Sequence, residues 1–182
     1  MDFLITDIAG YLTESISGMA DFKAVSLFIG VIIILVFLVS GRSMADRVLI
    51  SLLIISLYLI FTGTILARSE TGSSHWMLTP FWEYREAFKG DIEFRNMIIE
   101  NVLLFLPSGG LLGMLYKGQR SWWPIMFLIG FSIVIELAQG FLNIGLCEFD
   151  DVFNNSAGAA LGFGIVKLIY KLKTKNKEVG TL

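Results

Sequence analysis

The sequence has almost none of the residues that build disulfides, zinc cages and histidine-based catalytic sites. It contains one cysteine, Cys147, and one histidine, His75, among 182 residues. A single cysteine excludes an intrachain disulfide and a cysteine-based zinc cage. The sequence also lacks an HExxH motif, a glycine-rich phosphate loop and an ATPase motif, which favours a binding protein over an enzyme. No motif identifies a metal or a nucleotide, so no cofactor and no metal ligand are assigned.

Charge is scarce as well. Only 16% of the residues are charged, whereas 55% are hydrophobic, and the mean hydropathy is +0.72. Soluble domains contain about 45–50% apolar residues, so this composition indicates a membrane protein. The net charge of −2 provides no basic surface for nucleic acid. Membrane lipids are therefore the expected partners, and no nucleic-acid partner is expected.

Long apolar runs predict an all-α fold, a polytopic membrane helical bundle of about five transmembrane helices. A membrane core of ~30 Å requires about 20 apolar residues in a helix. The bundle covers residues 24–172 and is followed by a basic cytoplasmic tail, residues 173–182. The predicted spans are residues 24–40, 48–67, 97–116, 122–142 and 156–172.

Two further segments flank these spans without crossing the membrane. Residues 1–23 place Ile5, Ile8 and Leu12 at helical spacing, which predicts an amphipathic helix on the membrane surface. Residues 68–95 are too polar to span and form a long outer loop. We expect a short interfacial helix at residues 80–88 of this loop, because long unstructured loops are uncommon. That helix would cover the polar residues described below.

The distribution of lysine and arginine predicts the orientation of the bundle. With the C-terminus in the cytoplasm, the inner segments carry eight basic residues and the outer segments carry five. Cytoplasmic loops are normally the richer in Lys and Arg. We therefore expect the N-terminus outside and the C-terminus inside. The eight inner residues are Arg42, Arg47, Lys117, Arg120, Lys171, Lys173, Lys175 and Lys177.

Polar side chains within the spans predict a ligand-binding site. Glu136 lies within the fourth span and Glu100 within the third. A carboxylate in hydrocarbon costs at least ~2.5 kcal/mol, so it normally faces a bundle interior or a partner. The predicted topology brings spans three, four and five to the outer face, where Arg95 is expected to bridge carboxylates. The expected ligand-binding residues are Arg95, Glu100, Asn101, Glu136, Gln139, Asp150, Asp151 and Asn155.

Some of these residues have simpler alternatives. The pair Asp150 and Asp151 could cap the fifth helix or solvate a loop. Glu136 lies too deep in its span for a cap, so a functional role is favoured there. Glu136 and Asp151 are the candidates for catalysis if the protein is an enzyme.

Three motifs occur in the second half of the chain: Asn101-x3-Phe105-x-Pro107-x-Gly109, Glu136-x2-Gln139 and Asp150-Asp151-x3-Asn155-x2-Gly158-x3-Gly162. Together they resemble the VanZ-like proteins, which are small bacterial membrane proteins. The resemblance covers roughly residues 95–165 and implies a location in the bacterial plasma membrane and a role in resistance to the glycopeptide teicoplanin. Family members often carry a basic residue shortly before the Asp pair, and this chain does not. Arg95, Arg85 and Arg68 are alternative sources of that charge.

Three classes of function are compatible with these residues. The favoured one is a binding protein whose outer polar site engages a lipid-linked cell-wall precursor or a lipoglycopeptide antibiotic. The second is a membrane enzyme acting on a lipid or cell-wall precursor. There Glu136 would be the general base, and Asp150 with Asp151 would hold a hard cation such as Mg²⁺ or Ca²⁺. The third is a small transporter or scaffold.

Overall fold

The structure is a computed structural model that describes residues 27, 29–34, 36–37, 41–66, 75–117 and 121–179. The chain divides into two compact units, Met1–Arg42 and Ser43–Leu182. In the first unit residues 29–34 are helical, within the predicted span at 24–40. The predicted amphipathic helix at residues 1–23 lies outside the described residues.

The second unit is mostly helical, and its elements carry the polar residues of the sequence motifs. The first helix continues into a π-helical turn, and three of the later helices are each preceded by a short strand or a short helix. In chain order the elements are α1 (Met44–Phe61), the π turn (Thr62–Leu66), β1 (His75–Met77), α2 (Trp82–Phe88), α3 (Ile92–Leu115), α4 (Trp123–Leu142), β2 (Leu146–Glu148) and α5 (Phe149–Val179).

Four helices in the described part of the chain are long and apolar enough to cross a membrane. They are Met44–Ile65, Ile92–Leu115, Trp123–Leu142 and Phe149–Thr174. Large apolar side chains cover their outer faces, as expected where lipid replaces water. The chain is therefore a multi-pass membrane protein. A fifth span at residues 24–40 stays a prediction, because that segment is only partly described.

Three helices begin earlier than the hydropathy predicts, and α1 does so by four residues, at Met44 rather than residue 48. α3 begins at Ile92 rather than near residue 97, because the Asp91 side chain accepts a hydrogen bond from Glu93 N at 2.9 Å and caps the helix. α5 begins at Phe149 rather than near residue 156. Asp150 and Asp151 consequently lie in the first helical turn of α5 and not in a loop. A hydropathy average does not detect the first turns of these helices, because those turns contain charged residues.

The expected helix in the outer loop is present as α2, Trp82–Phe88. A feature that the sequence did not predict is a pair of three-residue strands, so the fold is not strictly all-α. β1 pairs in parallel with β2, and Trp76 lies opposite Cys147. A side chain added at Gly140 of α4 would press on both residues, so the strand pair packs directly on α4. Strands this short give no alternating pattern that a sequence can reveal.

The packing of α3 against α5 organises the bundle. Buried residues recur on α5 at steps of three and four, from Gly158 and Ala159 to Phe163 and Val166, which places them on one helix face. Because glycine has no side chain, the two helix backbones can come into contact at the glycine positions. A Cβ atom added at Gly109, Gly158 or Gly162 would overlap a backbone carbonyl of the facing helix.

Other helices join this pair through a small core. Phe105 of α3 is completely buried, and Leu128 and Ile135 of α4 belong to the same apolar cluster. Ile60 of α1 also contributes to that cluster. Between α1 and α3, the hydroxyl groups of Ser56 and Ser108 share a hydrogen bond of 2.8 Å. A polar pair inside the membrane thus fixes the position of α1.

Replacing Gly162 by alanine should loosen the bundle, because the added methyl group would overlap Leu106 O on α3. We expect a loss of about 1–3 kcal/mol, the usual cost of overpacking a core. Gly164→Ala is the matched control, since nothing lies within 4 Å of an added Cβ there. Thermal unfolding of the detergent-purified variants measures the difference. Equal stability of the two variants would contradict the described α3–α5 contact.

Candidate functional site

One face of α4 is buried along its length and carries the polar residues of the fourth span. Its buried positions run from Leu128 through Ser132 and Glu136 to Gln139, a spacing that keeps them on one helix face. Glu136 is 3% exposed. In the structure this carboxylate is therefore enclosed by the bundle and does not lie on its outer surface.

The buried face of α5 changes from polar to apolar along the helix. Its first two turns bury Asp150, Asp151, Asn154 and Asn155, on the same face as the glycines that contact α3. A single helix face thus supplies four polar groups near one end of the bundle and close backbone packing farther along. Contacts between α5 and α4 extend this polar region, because Asn155 Nδ2 donates to Ser132 Oγ at 2.9 Å.

Asp150 attaches α2 to the bundle. Its two carboxylate oxygens accept hydrogen bonds from Phe81 N at 2.6 Å and from Glu83 N at 2.9 Å. These N–H groups open α2 and have no partner within that short helix, so Asp150 caps it from another element. Phe81 also packs edge-to-face against Tyr84, Phe149 and Phe153. The sequence suggested that the Asp pair could cap the fifth helix. In the structure, Asp150 instead caps α2.

Glu83 of α2 is completely buried. Its Oε2 accepts a hydrogen bond from Asn154 Nδ2 at 3.2 Å, and Tyr84 Oη donates to the oxygen of the same Asn154. Glu83 Oε1 is also buried and has no hydrogen-bond partner among the described residues. Asn154 thus fixes the orientation of a carboxylate that has one oxygen unsatisfied.

Three buried carboxylates converge at this point, and we call Glu83, Glu148 and Asp151 the acid triplet. One carboxylate oxygen from each residue lies within 4.8 Å of the other two. Two ionised carboxylates 4.8 Å apart repel each other by about 3 kcal/mol at an effective dielectric constant of about 20. The triplet therefore favours a proton, a cation or a hydrogen-bond donor in its midst.

Burial raises the pKa of Glu83 to about 8, and the negative charges of Asp151, Glu148 and Asp150 act in the same direction. With no cation present, the Glu83 carboxyl group is therefore protonated at neutral pH. Burial also raises the pKa of the Cys147 thiol. This change keeps the only cysteine in its un-ionised form, which argues against a nucleophilic role.

Further hydrogen bonds connect the remaining predicted residues to this region. Asn101 Nδ2 of α3 donates to Asp151 Oδ1. Glu136 Oε2 accepts from the backbone N–H of Glu148 at 3.1 Å, which joins the deep carboxylate of α4 to the acid triplet. Gln139 Nε2 donates to Thr64 O in the π turn at 3.1 Å. We call the whole assembly the polar cluster; it comprises Glu83, Asn101, Ser132, Glu136, Gln139, Glu148, Asp150, Asp151, Asn154 and Asn155.

Two predicted site residues lie outside the polar cluster. The side chains of Arg95 and Glu100 are exposed, and within the described part of the chain Arg95 forms no ion pair with a buried carboxylate. The expectation that Arg95 bridges the carboxylates is therefore not met. The prediction for Arg95 and Glu100 was wrong because successive residues of an α-helix are rotated by about 100° around the helix axis. Glu100 and Arg95 point about 100° and 120° away from the face on which Asn101 meets α5.

The polar cluster also contains residues that were not among the predicted site. Glu83 was missed because it stands in a polar loop segment, where a carboxylate is normally solvated. Glu148 lies two residues before Asp150, and that proximity was the available signal. Ser132 lies four residues before Glu136, about one helical turn, so the buried face of α4 could have identified it.

Comparison with known proteins supports the resemblance found in the sequence. A family model described as VanZ/LLP1 matches residues 26–170. The chain belongs to this family. The matched range contains α2, α3, α4 and all of the polar cluster, so the cluster lies within the part of the chain that the family model covers.

Among curated proteins, the chain is similar to "Protein VanZ" of Enterococcus faecium. The two are 32% identical over 84 residues, which is 46% of this chain and 52% of the relative. The chain thus spans about half the length of the curated relative that it matches. No solved structure matches the chain.

The raised pKa of Glu83 predicts a pH-dependent stability. Between its unfolded pKa of 4.5 and its folded pKa of about 8, the folded chain binds more protons than the unfolded one. Stability should therefore fall as the pH rises through this range and level off above it. Thermal unfolding in EDTA at about pH 5 and about pH 9 measures this loss.

Glu83→Gln should reduce that pH-dependent loss, because glutamine does not titrate. Glu86→Gln is the matched control on the same helix, since Glu86 is exposed and pairs with Lys89. The same pH dependence in both variants and the natural chain would contradict the assignment to Glu83.

Proposed function

We propose that this chain protects a bacterial cell against teicoplanin. Membership of the VanZ/LLP1 family and the similarity to Protein VanZ support this function. The observation that carries the proposal to particular residues is the polar cluster. It buries five carboxyl groups within a membrane protein, which is costly unless the groups serve binding or chemistry.

The ligand that fits this cluster is the polar headgroup of a lipid-linked cell-envelope precursor or of a lipoglycopeptide. Both ligand classes carry hydroxyl and amide donors. The cluster supplies acceptors: Gln139 Oε1 and Asn155 Oδ1 are buried and have no hydrogen-bond partner among the described residues. A ligand donor that reached these oxygens would remove their desolvation penalty.

The surroundings of the cluster suit an amphiphile. The Phe81 ring contacts the rings of Phe149 and Phe153, and the three side chains are 39–45% exposed. Exposed aromatic side chains beside polar groups are typical of the membrane–water interface. A lipid-tailed ligand could therefore place its headgroup at the polar cluster and its chain along this aromatic surface.

The proposed orientation places the polar cluster at the outer face of the plasma membrane, with the C-terminus in the cytoplasm. The bias of lysine and arginine toward the inner segments supports it. Teicoplanin and the exported cell-wall precursors are met on the outer face, so the location and the proposed ligand agree.

A membrane enzyme is the second candidate function. The observation that favours it is the complete burial of Glu83 beside Glu148 and Asp151. This environment raises the pKa of Glu83 to about 8, and a carboxyl group that is protonated near neutral pH can act as a general acid. In that case Glu136 would be the general base. Release of a product from a lipid-linked precursor would distinguish an enzyme from a binding protein.

Expression in a teicoplanin-sensitive host tests the proposed function. The natural chain should raise the inhibitory concentration of teicoplanin but not that of vancomycin. Glu136→Gln should abolish this protection, because it removes the buried charge while preserving the side-chain volume. Membrane insertion should be unaffected, since loss of a costly charge does not impair partitioning.

Glu100→Gln is the control for that experiment, since Glu100 is an exposed carboxylate on α3. This variant should protect as well as the natural chain. An expressed natural chain that gives no protection would contradict the function. Full protection by Glu136→Gln would instead contradict the role of the polar cluster.

Reporter fusions test the orientation separately. Alkaline phosphatase fused after Cys147 should be active, because this segment is proposed to be outside. A fluorescent protein fused at residues 117–120 or after Lys175 should be fluorescent, because those positions are proposed to be cytoplasmic. An inactive phosphatase after Cys147, together with a fluorescent protein that fluoresces there, would contradict an outward-facing polar cluster.

A further inference from the structure

The acid triplet has the composition of a cation site. Its three carboxylates come from three different elements, namely Glu83 from α2, Glu148 from β2 and Asp151 from α5. All three residues are buried, and one oxygen of each lies within 4.8 Å of the others. We propose that the acid triplet binds one hard divalent cation, Ca²⁺ or Mg²⁺. This site goes beyond the proposed function and does not depend on it.

The spacing of the oxygens fits a single ion. Oxygen ligands of Ca²⁺ lie about 2.3–2.6 Å from the ion, so two of them are at most about 5 Å apart. Oxygens that are all within 4.8 Å of one another satisfy that limit. Mg²⁺ lies about 2.0–2.1 Å from its ligands, so it needs the three oxygens to be somewhat closer together.

An independent observation concerns the unsatisfied oxygen of Glu83. This side chain is completely buried, and its Oε1 has no hydrogen-bond partner among the described residues. Its carboxylate belongs to the triplet. A buried acceptor with no donor is costly, and a cation between the three carboxylates would remove that cost.

Neighbouring amide groups already orient two of the carboxylates. Asn154 Nδ2 donates to Glu83 Oε2, and Asn101 Nδ2 donates to Asp151 Oδ1. Ligands of bound metals are commonly held by such hydrogen bonds, which fix their direction before the metal arrives. Asp150 is committed to the N–H groups of Phe81 and Glu83, so it supports the site without being assigned as a ligand.

The donor set selects the class of cation. Every assigned ligand is a carboxylate oxygen, which suits Ca²⁺ and Mg²⁺ and disfavours metals that prefer nitrogen or sulfur. Cys147 is adjacent to Glu148 in sequence but is not a member of the group. A bound ion would connect α2, β2 and α5, so it should also stabilise the folded chain.

Cation binding can be measured directly on the full-length chain in detergent. The protein is treated with EDTA, desalted and titrated calorimetrically with CaCl₂ and, separately, with MgCl₂. We expect one ion per chain, with a dissociation constant of about 10⁻³ M or lower, as in extracellular calcium sites. The unfolding temperature should rise as the ion is added.

Glu83→Gln should weaken binding by about tenfold or more, since it replaces a charged ligand. Glu86→Gln is the matched control on α2, because Glu86 lies on the surface and pairs with Lys89. Its affinity should equal that of the natural chain. Glu148→Gln provides a second ligand variant, and size-exclusion profiles in EDTA establish that each variant is folded.

Two results would overturn the site. One is a natural chain that binds neither ion at millimolar concentration. The other is a folded Glu83→Gln or Glu148→Gln variant that binds as tightly as the Glu86→Gln control. Because no antibiotic is present, these results are independent of protection against teicoplanin.

Discussion

The backbone contact between α3 and α5 sets the geometry of both the bundle and the polar cluster. Glycines at Gly109, Gly158 and Gly162 allow the two helices to touch along their length. The same face of α5 begins with acids and amides, so the close packing brings Asn101 to Asp151. The glycine packing between α3 and α5 therefore also positions the residues of the polar cluster at one end of the two helices.

Hydrogen bonds from several elements offset the desolvation cost of the buried polar cluster. Asp150 satisfies the open N–H groups of α2, while Glu136 receives the backbone N–H of Glu148. These bonds hold a surface segment over the helices of the bundle. What they leave unsatisfied are a few buried oxygens, among them Glu83 Oε1, and such acceptors are where a ligand or an ion gains the most by binding.

The sequence predicted the four membrane-crossing helices of the described chain and six of the ten residues of the polar cluster, because both depend on local pattern. Helical spacing alone placed Glu136 and Gln139 on one buried face, and apolar runs located the crossing helices. Contacts between distant segments were beyond reach: Glu83 meets Asn154 across 71 positions, and the β1–β2 pair is equally nonlocal. Arg95 was misplaced because its angle about α3 depends on which face meets α5, and no composition argument determines that.

The proposal that the polar cluster is a ligand site can be tested by an affinity measurement on the purified chain. The natural chain and its Glu136→Gln variant would be titrated with teicoplanin and with a lipid-linked cell-wall precursor. We expect saturable binding of one of these ligands by the natural chain, and binding at least about tenfold weaker, or ~1.4 kcal/mol, by the variant. Equal affinity of the two proteins for both ligands would show that the polar cluster is not the ligand site.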